Sequence, residues 1–511
     1  MKKSFVIIVV VLIYASITWW ISFRSFGVYD IYEQGDAKIY AVNAASLSRT
    51  FESSPIHVLN PYTWDDFVNS KRALGIASAL TNPGYSIIMA GIYKIAGKCR
   101  LWYGSMVSYF FYMLGIVFMI LIFQRFLNYK EILFCCFLFC SSWLVIMNMI
   151  RPLTDPVFWG LSLFCIWFAL EYPKKPIIIG TITGVILIFR IQAIFLYPLL
   201  LILIVQNFTF KDLYQATYKL SITAIPFFLI LKIIPWFTGQ NESALVINSD
   251  STFYLTSYIN FFRAFNFHDY IVKINQTIQK LSSLNVLTPV FWLLATSIFA
   301  HDPNNIVVRL RWFSFTGIVS LIIVACVGAS PSSRLYLIFF PFIIALSFHF
   351  VKTLYNNSSQ GAKKYITPFI VIFFLFSSSS GFLSIISGCT KSSSSPSVSS
   401  DAWESLEDHL SHFKPDAVIA TNCLILPLFH ETRNIVTLPK QTSSFIYESK
   451  RNKELDGIVF ITYKNNLKHY SSWKQQLMQD NIIDSQNNKF IKSFELINPK
   501  IQIFCYKLKS S

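Results

Sequence analysis

Charge is scarce in this chain. Only 14% of its 511 residues are Asp, Glu, Lys or Arg, against about 25% in a typical soluble protein. The shortfall is concentrated in apolar runs of about 16 to 24 residues that extend to about residue 388, and about 20 such residues cross a hydrocarbon core. A soluble enzyme and a disordered protein are excluded. Cysteine is sparse as well: of nine, five (Cys135, Cys136, Cys140, Cys165 and Cys326) lie inside apolar runs, and no CxxC or Cys/His metal spacing occurs. That removes a disulfide-built secreted scaffold. Cys423 and Cys505 share the polar C-terminal region and can pair in an oxidising compartment, but the odd total leaves the pairing undecided. Ionisable groups are nearly missing from the apolar runs, where Lys232 and His349 both sit near a run's end, and no pair of Gly/Pro-broken runs recurs in matching halves. Both absences weaken a transporter, which needs such groups along its path.

What the chain has in excess is aromatic and basic side chains: 49 Phe, and 43 Lys+Arg against 26 Asp+Glu, a formal charge of +17. Much of the basic excess lies in short loops between apolar runs, where it reports membrane orientation rather than nucleic-acid binding. The run 4–21 follows Lys2 and Lys3 and is longer than the 7 to 15 residues of a signal peptide's apolar core, so it reads as a first membrane helix with the N-terminus inside. Further runs at 102–124, 131–150, 155–171, 176–190, 191–206, 217–237, 284–300, 312–329, 333–351 and 365–388 bring the expected total to about eleven. The segment 83–97 (PGYSIIMAGIYKIAG) is too short to span and reads as an interfacial or re-entrant helix. Loop charge agrees. With 83–97 left on the outer face, Lys2, Lys3, Arg125, Lys130, Lys174, Lys175, Lys211, Lys219, Arg309, Arg311, Lys352, Lys363 and Lys364 all fall inside, against single arginines in the short loops opposite.

The expected architecture is thus an α-helical polytopic membrane domain over 1–391, with a first outer loop at 23–101 that contains the helix 83–97. A Ser-rich linker follows at 392–400, then a small outer α/β domain at 401–511. In that domain 403–413 reads as an amphipathic helix, and short apolar runs at 417–420, 435–438, 457–463 and 501–506 read as strands.

Polar residues gather at the outer boundary of this topology. Glu33 and Asp36 follow the first run, Lys71 and Arg72 lie deeper in the first loop, and Arg151 and Asp155 precede or open the run 155–171. Arg190 closes the run 176–190, and Arg334 with Tyr336 opens the run 333–351. Carboxylates for acid/base work mixed with arginines for a phosphate are what a reaction on a lipid-phosphate substrate needs. Each also has a plainer role, since a charge at a helix end serves as an interfacial anchor or dipole partner; Asp155 followed by Pro156 at a first helical position is such a case. Asp65-Asp66 reads as a solvated turn, and no metal site or cofactor is expected, although divalent-metal dependence stays open.

Five stretches in order carry a resemblance: GDAKIY after the first run, NPGYSIIMAGIYKIAG ending at Gly97, the TDP at 154–156, GVILIFR from Gly184 to Arg190, and RLYLIFFP from Arg334. Together with the topology and the appended outer domain they resemble the GT-C superfamily of polytopic glycosyltransferases, within it the bacterial group related to protein O-mannosyltransferases and the lipid A aminoarabinose transferase. The resemblance covers nearly the whole chain. It implies transfer of a sugar from a polyprenyl-phosphate carrier to a lipopolysaccharide, other glycan or protein acceptor at the outer face of a bacterial inner membrane, usually with inversion. By the same resemblance, Asp36 is the general base, Asp155 a second acidic position that orients acceptor or sugar, and Arg334, with Lys71, Arg72 or Arg190, neutralises the departing phosphate. Glu33 and Asp36 stand three apart where the family often has adjacent acids, and Asn82-Pro83-Gly84 stands where one branch has a phosphate-binding lysine. Two other classes compete: a transporter or flippase for a lipid-linked glycan, told apart by product, and an envelope polysaccharide ligase or polymerase. The latter calls for a long outer loop rich in Arg and His, which 238–283 matches poorly.

Overall fold

The computed structural model describes residues 2–26, 37–50, 83–205, 209–237, 268, 270–272, 275, 294, 296–327, 333–361, 363–364, 368, 400–414, 417–422, 434–438, 445, 455–463, 473–483, 487–497 and 501–509. The chain forms two compact units, one built of 1–26, 105–232 and 250–394 and the other of 27–104, 233–249 and 395–511. Its helices in order are α1 (Lys2–Phe26), α2 (Ala37–Thr50), α3 (Pro83–Ala96), α4 (Leu101–Phe123), α5 (Tyr129–Cys140), α6 (Trp143–Met149), α7 (Thr154–Glu171), α8 (Pro176–Phe189), α9 (Leu196–Ile204), α10 (Phe210–Phe237), α11 (Asn305–Val327) and α12 (Phe340–Asn357). Two 3-10 helices, Ile191–Phe195 and Ser333–Ile338, lead into α9 and α12. Among the described residues, three helices are long and apolar enough to cross a membrane: Ser4–Phe23, Trp102–Phe123 and Asn305–Ile322. The runs 284–300 and 365–388 and the loop 238–283 lie largely outside the described residues.

In four places the helices differ from the expected runs, each for a local reason. The run 131–150 is two helices, because the Ser141 hydroxyl donates to the Phe137 carbonyl at 2.7 Å and Ser142 is extended (φ −70, ψ 129); serine side chains compete with the helical ladder. The run 191–206 opens with a 3-10 turn after Arg190, itself extended at φ −158, ψ 119. The run 333–351 likewise opens as a 3-10 helix, and α12 takes over with Pro341 in its first turn, where a missing N–H costs nothing. The run 312–329 begins at Asn305, so Arg309 and Arg311 are helical rather than in a loop.

Within the first unit α1 packs along α4, α5 and α6. Ser16 and Tyr109 hydroxyls meet at 2.7 Å, Tyr14 and Ser141 hydroxyls at 2.5 Å, and Trp19 Nε1 donates to the Met149 carbonyl at 2.9 Å. Two crossings depend on glycine. A Cβ at Gly160 would collide with the Phe111 carbonyl of α4, and Cβ atoms at Gly180 and Gly184 would collide with Thr223 and Phe227 of α10. The four-residue spacing of the latter pair is the small-residue seam by which membrane helices approach closely.

Opposite ends of the bundle differ in chemistry. At one end Arg125 pairs with Glu171, Lys352 with Glu131 at 2.6 Å, and Arg309 donates to the Leu203 carbonyl at 3.0 Å. Arg125, Arg309 and Lys352, three of the basic residues that charge counting puts on one face, thus lie at one end. The other end gathers the close of α1, the start of α7, the close of α8 and the second 3-10 helix.

In the second unit α3 lies against α2, with Tyr40 and Tyr85 edge to face at 5.5 Å. Gly97, at φ 68, closes α3 in the left-handed conformation that glycine adopts without penalty. The C-terminal part comprises α13 (Ser400–Leu410), β1 (Val418–Thr421), β2 (Asn434–Thr437), β3 (Gly457–Tyr463), α14 (Trp473–Leu477), β4 (Asn481–Ile483), β5 (Lys489–Ile497) and β6 (Ile501–Leu508). The sheet order is β2-β1-β3-β6-β5-β4, parallel across β2, β1 and β3 and antiparallel beyond. Ile458, Phe460, Phe490, Phe504 and Tyr506 form a core with Trp473 of α14 on one face. On the other, Lys507 lies over the Phe413 ring at 4.7 Å and His409 of α13 stacks on Phe494 at 4.9 Å. Past the end of β1, the Asn422 amide donates to the Ile461 carbonyl at 2.7 Å and accepts from the Ile461 N–H at 2.8 Å, so a side chain continues the ladder to β3. Cys505 is a buried free thiol, and Cys423 lies outside the described residues.

Candidate functional site

The polar end of the first unit is set by three helix termini. α1 closes with Trp19 stacked on Phe23 at 4.9 Å and bonded to the last residue of α6, which leads directly into Arg151. The Arg151 carbonyl accepts from the Ser108 hydroxyl at 2.7 Å, which fastens the α6–α7 connection to α4. α7 then opens at Thr154 after an extended Leu153, so Asp155 and Pro156 both occupy its first turn. Pro156 is thus third in the helix rather than first, still where its missing N–H has no intrahelical partner to lose.

Asp155 and Arg190 are brought together. The guanidinium is ion-paired to Asp155 Oδ1 through Nη1, and the two residues are only 3% and 6% exposed. Extension at Arg190 lets its side chain fold back across Phe158, with the guanidinium 5.5 Å from the ring centroid, while Nε donates to Gln192 Oε1 at 3.2 Å. A carboxylate in the first turn of a helix is also favoured by the helix dipole. The pair is therefore a charge-neutral unit fixed from both helices, with an amide at its flank.

Gln192 lies on the wall of an apolar cavity of about 110 Å³, lined also by Phe158 of α7, Phe195 just before α9, Pro198 within it, Thr316 and Ser320 of α11, and Phe339. Room on that wall comes from Gly317, where a Cβ would collide with the Phe339 ring. Sequence reasoning passed over Gln192, although an amide directly beyond a buried arginine in an apolar stretch is itself a signal.

The remaining expected residues divide cleanly. Tyr336 is buried, 2% exposed, in the second 3-10 helix, which packs against α6, α7, α11 and α12. Arg334 stands in the same 3-10 helix. Arg151 is partly exposed at the α6–α7 connection. Glu33, Asp36, Lys71 and Arg72 lie outside the described residues, as do Asp65 and Asp66. Among the described residues no group of three His, Cys, Asp or Glu is placed to hold a metal ion.

A bundle of mostly apolar helices with a polar end, and an α/β module in the C-terminal part of the chain, recur together in solved structures. The structure resembles the crystal structure of ArnT from Cupriavidus metallidurans bound to undecaprenyl phosphate, with a TM-score of 0.53 and 8% identity over 97% of each chain. It likewise resembles the apo form of the same protein, at 0.54 and 9% over 97% of each. Archaeal oligosaccharyltransferase AglB from Archaeoglobus fulgidus aligns at 0.49 and 10%, over 94% of this chain and 74% of that one. No family model and no curated protein matches the sequence. The chain has the GT-C fold, as its ordered motifs lead one to expect.

Proposed function

We infer that the protein is a membrane glycosyltransferase that moves a sugar from a polyprenyl-phosphate carrier to an envelope acceptor, a lipopolysaccharide, other glycan or protein. The observation that carries this reading is the buried Asp155–Arg190 pair, bonded through Arg190 to Gln192 on the wall of an apolar cavity, in a chain with the ArnT fold. A lipid phosphate needs that combination: a fixed cation for the headgroup and an apolar recess for the first carbons of the chain. ArnT, which shares the fold, was crystallised with undecaprenyl phosphate.

In the proposed reaction Asp36 takes the proton of the acceptor hydroxyl as its oxygen attacks the anomeric carbon, with inversion. The bond to the carrier oxygen breaks and the phosphate departs with the electron pair. Arg334, Lys71, Arg72 and Arg190 supply cations for that developing charge, Glu33, Arg151 and Tyr336 line the approach, and Asp155 acts through Arg190 by fixing its guanidinium. The proposed setting is a bacterial inner membrane with about eleven spans, the N-terminus inside and the site and C-terminal domain outside; the basic residues Lys352 and Arg309 at the end opposite the site support that orientation.

The test is transfer of label from radiolabelled polyprenyl-phosphate hexoses or pentoses to a crude envelope lipid extract by purified protein in liposomes. Label should move with the wild type and not with a folded Asp36→Ala variant. Turnover by that variant at the wild-type rate would remove Asp36 as the base, and movement of labelled carrier across vesicles without a new glycosidic bond would favour a flippase.

A further inference from the structure

We propose that Asp302 and His349, at the end of the bundle opposite the candidate site, form a polar clamp that positions the second 3-10 helix, with Arg334 and Tyr336, through the rigid pair α11–α12. Asp302 precedes α11 and is buried, with a side chain 3% exposed. Its Oδ2 accepts from Arg311 Nη2 at 2.9 Å and faces His349 Nε2 of α12 at 2.9 Å, and its Oδ1 accepts from the Asn304 N–H at 3.0 Å. Arg311 also donates to the Ala300 carbonyl at 3.1 Å. One carboxylate thus ties the segment before α11, α11 itself and α12.

Other groups fix that end further. Asn304 Nδ2 donates to the Arg125 carbonyl at 3.3 Å, Phe126 meets the His349 ring edge to face at 5.9 Å, and Lys352, one turn on, pairs with Glu131 of α5. His349 Nδ1 has no hydrogen-bond partner among the described residues, so the polar contact that ties this ring to the cluster runs through Nε2 to Asp302. Beside the Arg311–Asp302 pair the ring acts as a mechanical tether between α12 and the segment before α11.

From His349 back to Ile338 is 11 residues, about 16 Å at 1.5 Å per helical residue. Between them α11 and α12 interlock: Phe313 packs on Phe339 at 5.5 Å and on Phe342 at 6.0 Å, and Gly317 leaves no space beside the Phe339 ring. Close-packed aromatic contacts transmit a shift rather than absorb it. Releasing the clamp therefore lets α12 slide, and the 3-10 helix that leads into it loses its seat on α7.

The test variant is His349→Phe, which keeps a ring against Phe126 and the Arg311–Asp302 pair while removing only the tether to α12. In the full-length protein in detergent, hydrogen exchange at amides 333–338 should speed up at least tenfold, with exchange in α1 unchanged. An increase confined to 300–311, or none, overturns the proposal. If His349→Phe does not fold, His349→Gln, which can still donate to Asp302, supplies the comparison and should retain wild-type protection at 333–338; a loss there overturns the proposal too. The activity arm rests on the glycosyltransferase reading. The KM for a polyprenyl-phosphate sugar should rise about tenfold while the acceptor KM stays within twofold, and a uniform loss of kcat with both KM values unchanged argues against positioning. A wild type without transfer activity refutes the glycosyltransferase reading and leaves the exchange result to decide the clamp.

Discussion

Separating the charges of the Asp155–Arg190 pair offers a quantitative check on the site. With side chains 2% and 7% exposed, removing one partner strands the other in a low dielectric, at a cost of about 3–5 kcal/mol. Arg190→Gln leaves Asp155 at the α7 terminus, whose dipole returns about 0.3–1 kcal/mol, so a net loss of about 2–4 kcal/mol is expected. Asp155→Asn leaves Arg190 with Gln192 and the Phe158 ring, a cation–π contact worth about 0.5–2 kcal/mol, so its loss should be the smaller. The double variant removes both charges and should cost only about 1 kcal/mol, giving a coupling of about 3 kcal/mol. Equilibrium unfolding in mixed micelles of sodium dodecyl sulfate and dodecyl maltoside measures all four proteins. A coupling below about 0.5 kcal/mol would show that the pair is not a buried unit. Transfer activity then separates structure from chemistry: if Arg190 meets the phosphate, the double variant regains stability but not turnover.

Three further outcomes can be checked. Gly184→Leu forces a side chain into Phe227 and should cost about 1–3 kcal/mol in the same micelle titration, whereas Gly91→Leu, with nothing within 4 Å of its Cβ position, should be nearly silent; equal effects would contradict the α8–α10 crossing. His409 is held below its ordinary value of 6.5 by burial, then by Lys507 and His412, with Asp408 opposing. Its folded form resists protonation, so its contribution to stability is full above pH 6.5 and declines as pH falls towards the lowered folded value. The midpoint of C-terminal unfolding, followed by hydrogen exchange at 457–463, should drop between pH 7 and pH 5, and His409→Gln should flatten that drop. Cys505 is 0% exposed, and burial pushes its thiol up, so maleimide at pH 7 should leave it unlabelled until denaturant is added; fast native labelling would refute the sheet register.

Among the described residues the apolar runs marked where helices lie, since a helix must bury or cover a long apolar stretch. Where helices break was not visible at that scale. Ser141-Ser142 and Arg190 interrupt apolar stretches through side-chain bonds and one extended residue, and hydropathy averages over both. The parallel strands were legible as short apolar runs, whereas β4 has three residues and the bulge at Ser493 spoils the alternation of β5. At the site the residue types were readable but their pairing was not: Asp155 and Arg190 are 35 positions apart, and only the packing of α7 on α8 makes them partners. The Asp302–Arg311–His349 cluster was missed because Arg311 counted as a loop charge.

The Asn422 bridge bears on how the C-terminal module works. In a parallel sheet ordered β2-β1-β3, the chain after β1 turns to one side for β2 and after β3 to the other for β4, and small molecules settle in the cleft this opens at the strands' carboxyl ends. Here the Asn422 amide acts as one more rung between β1 and β3 and stitches that cleft shut at its root. The module keeps the strand order that elsewhere opens a cleft but presents a closed seam at that point.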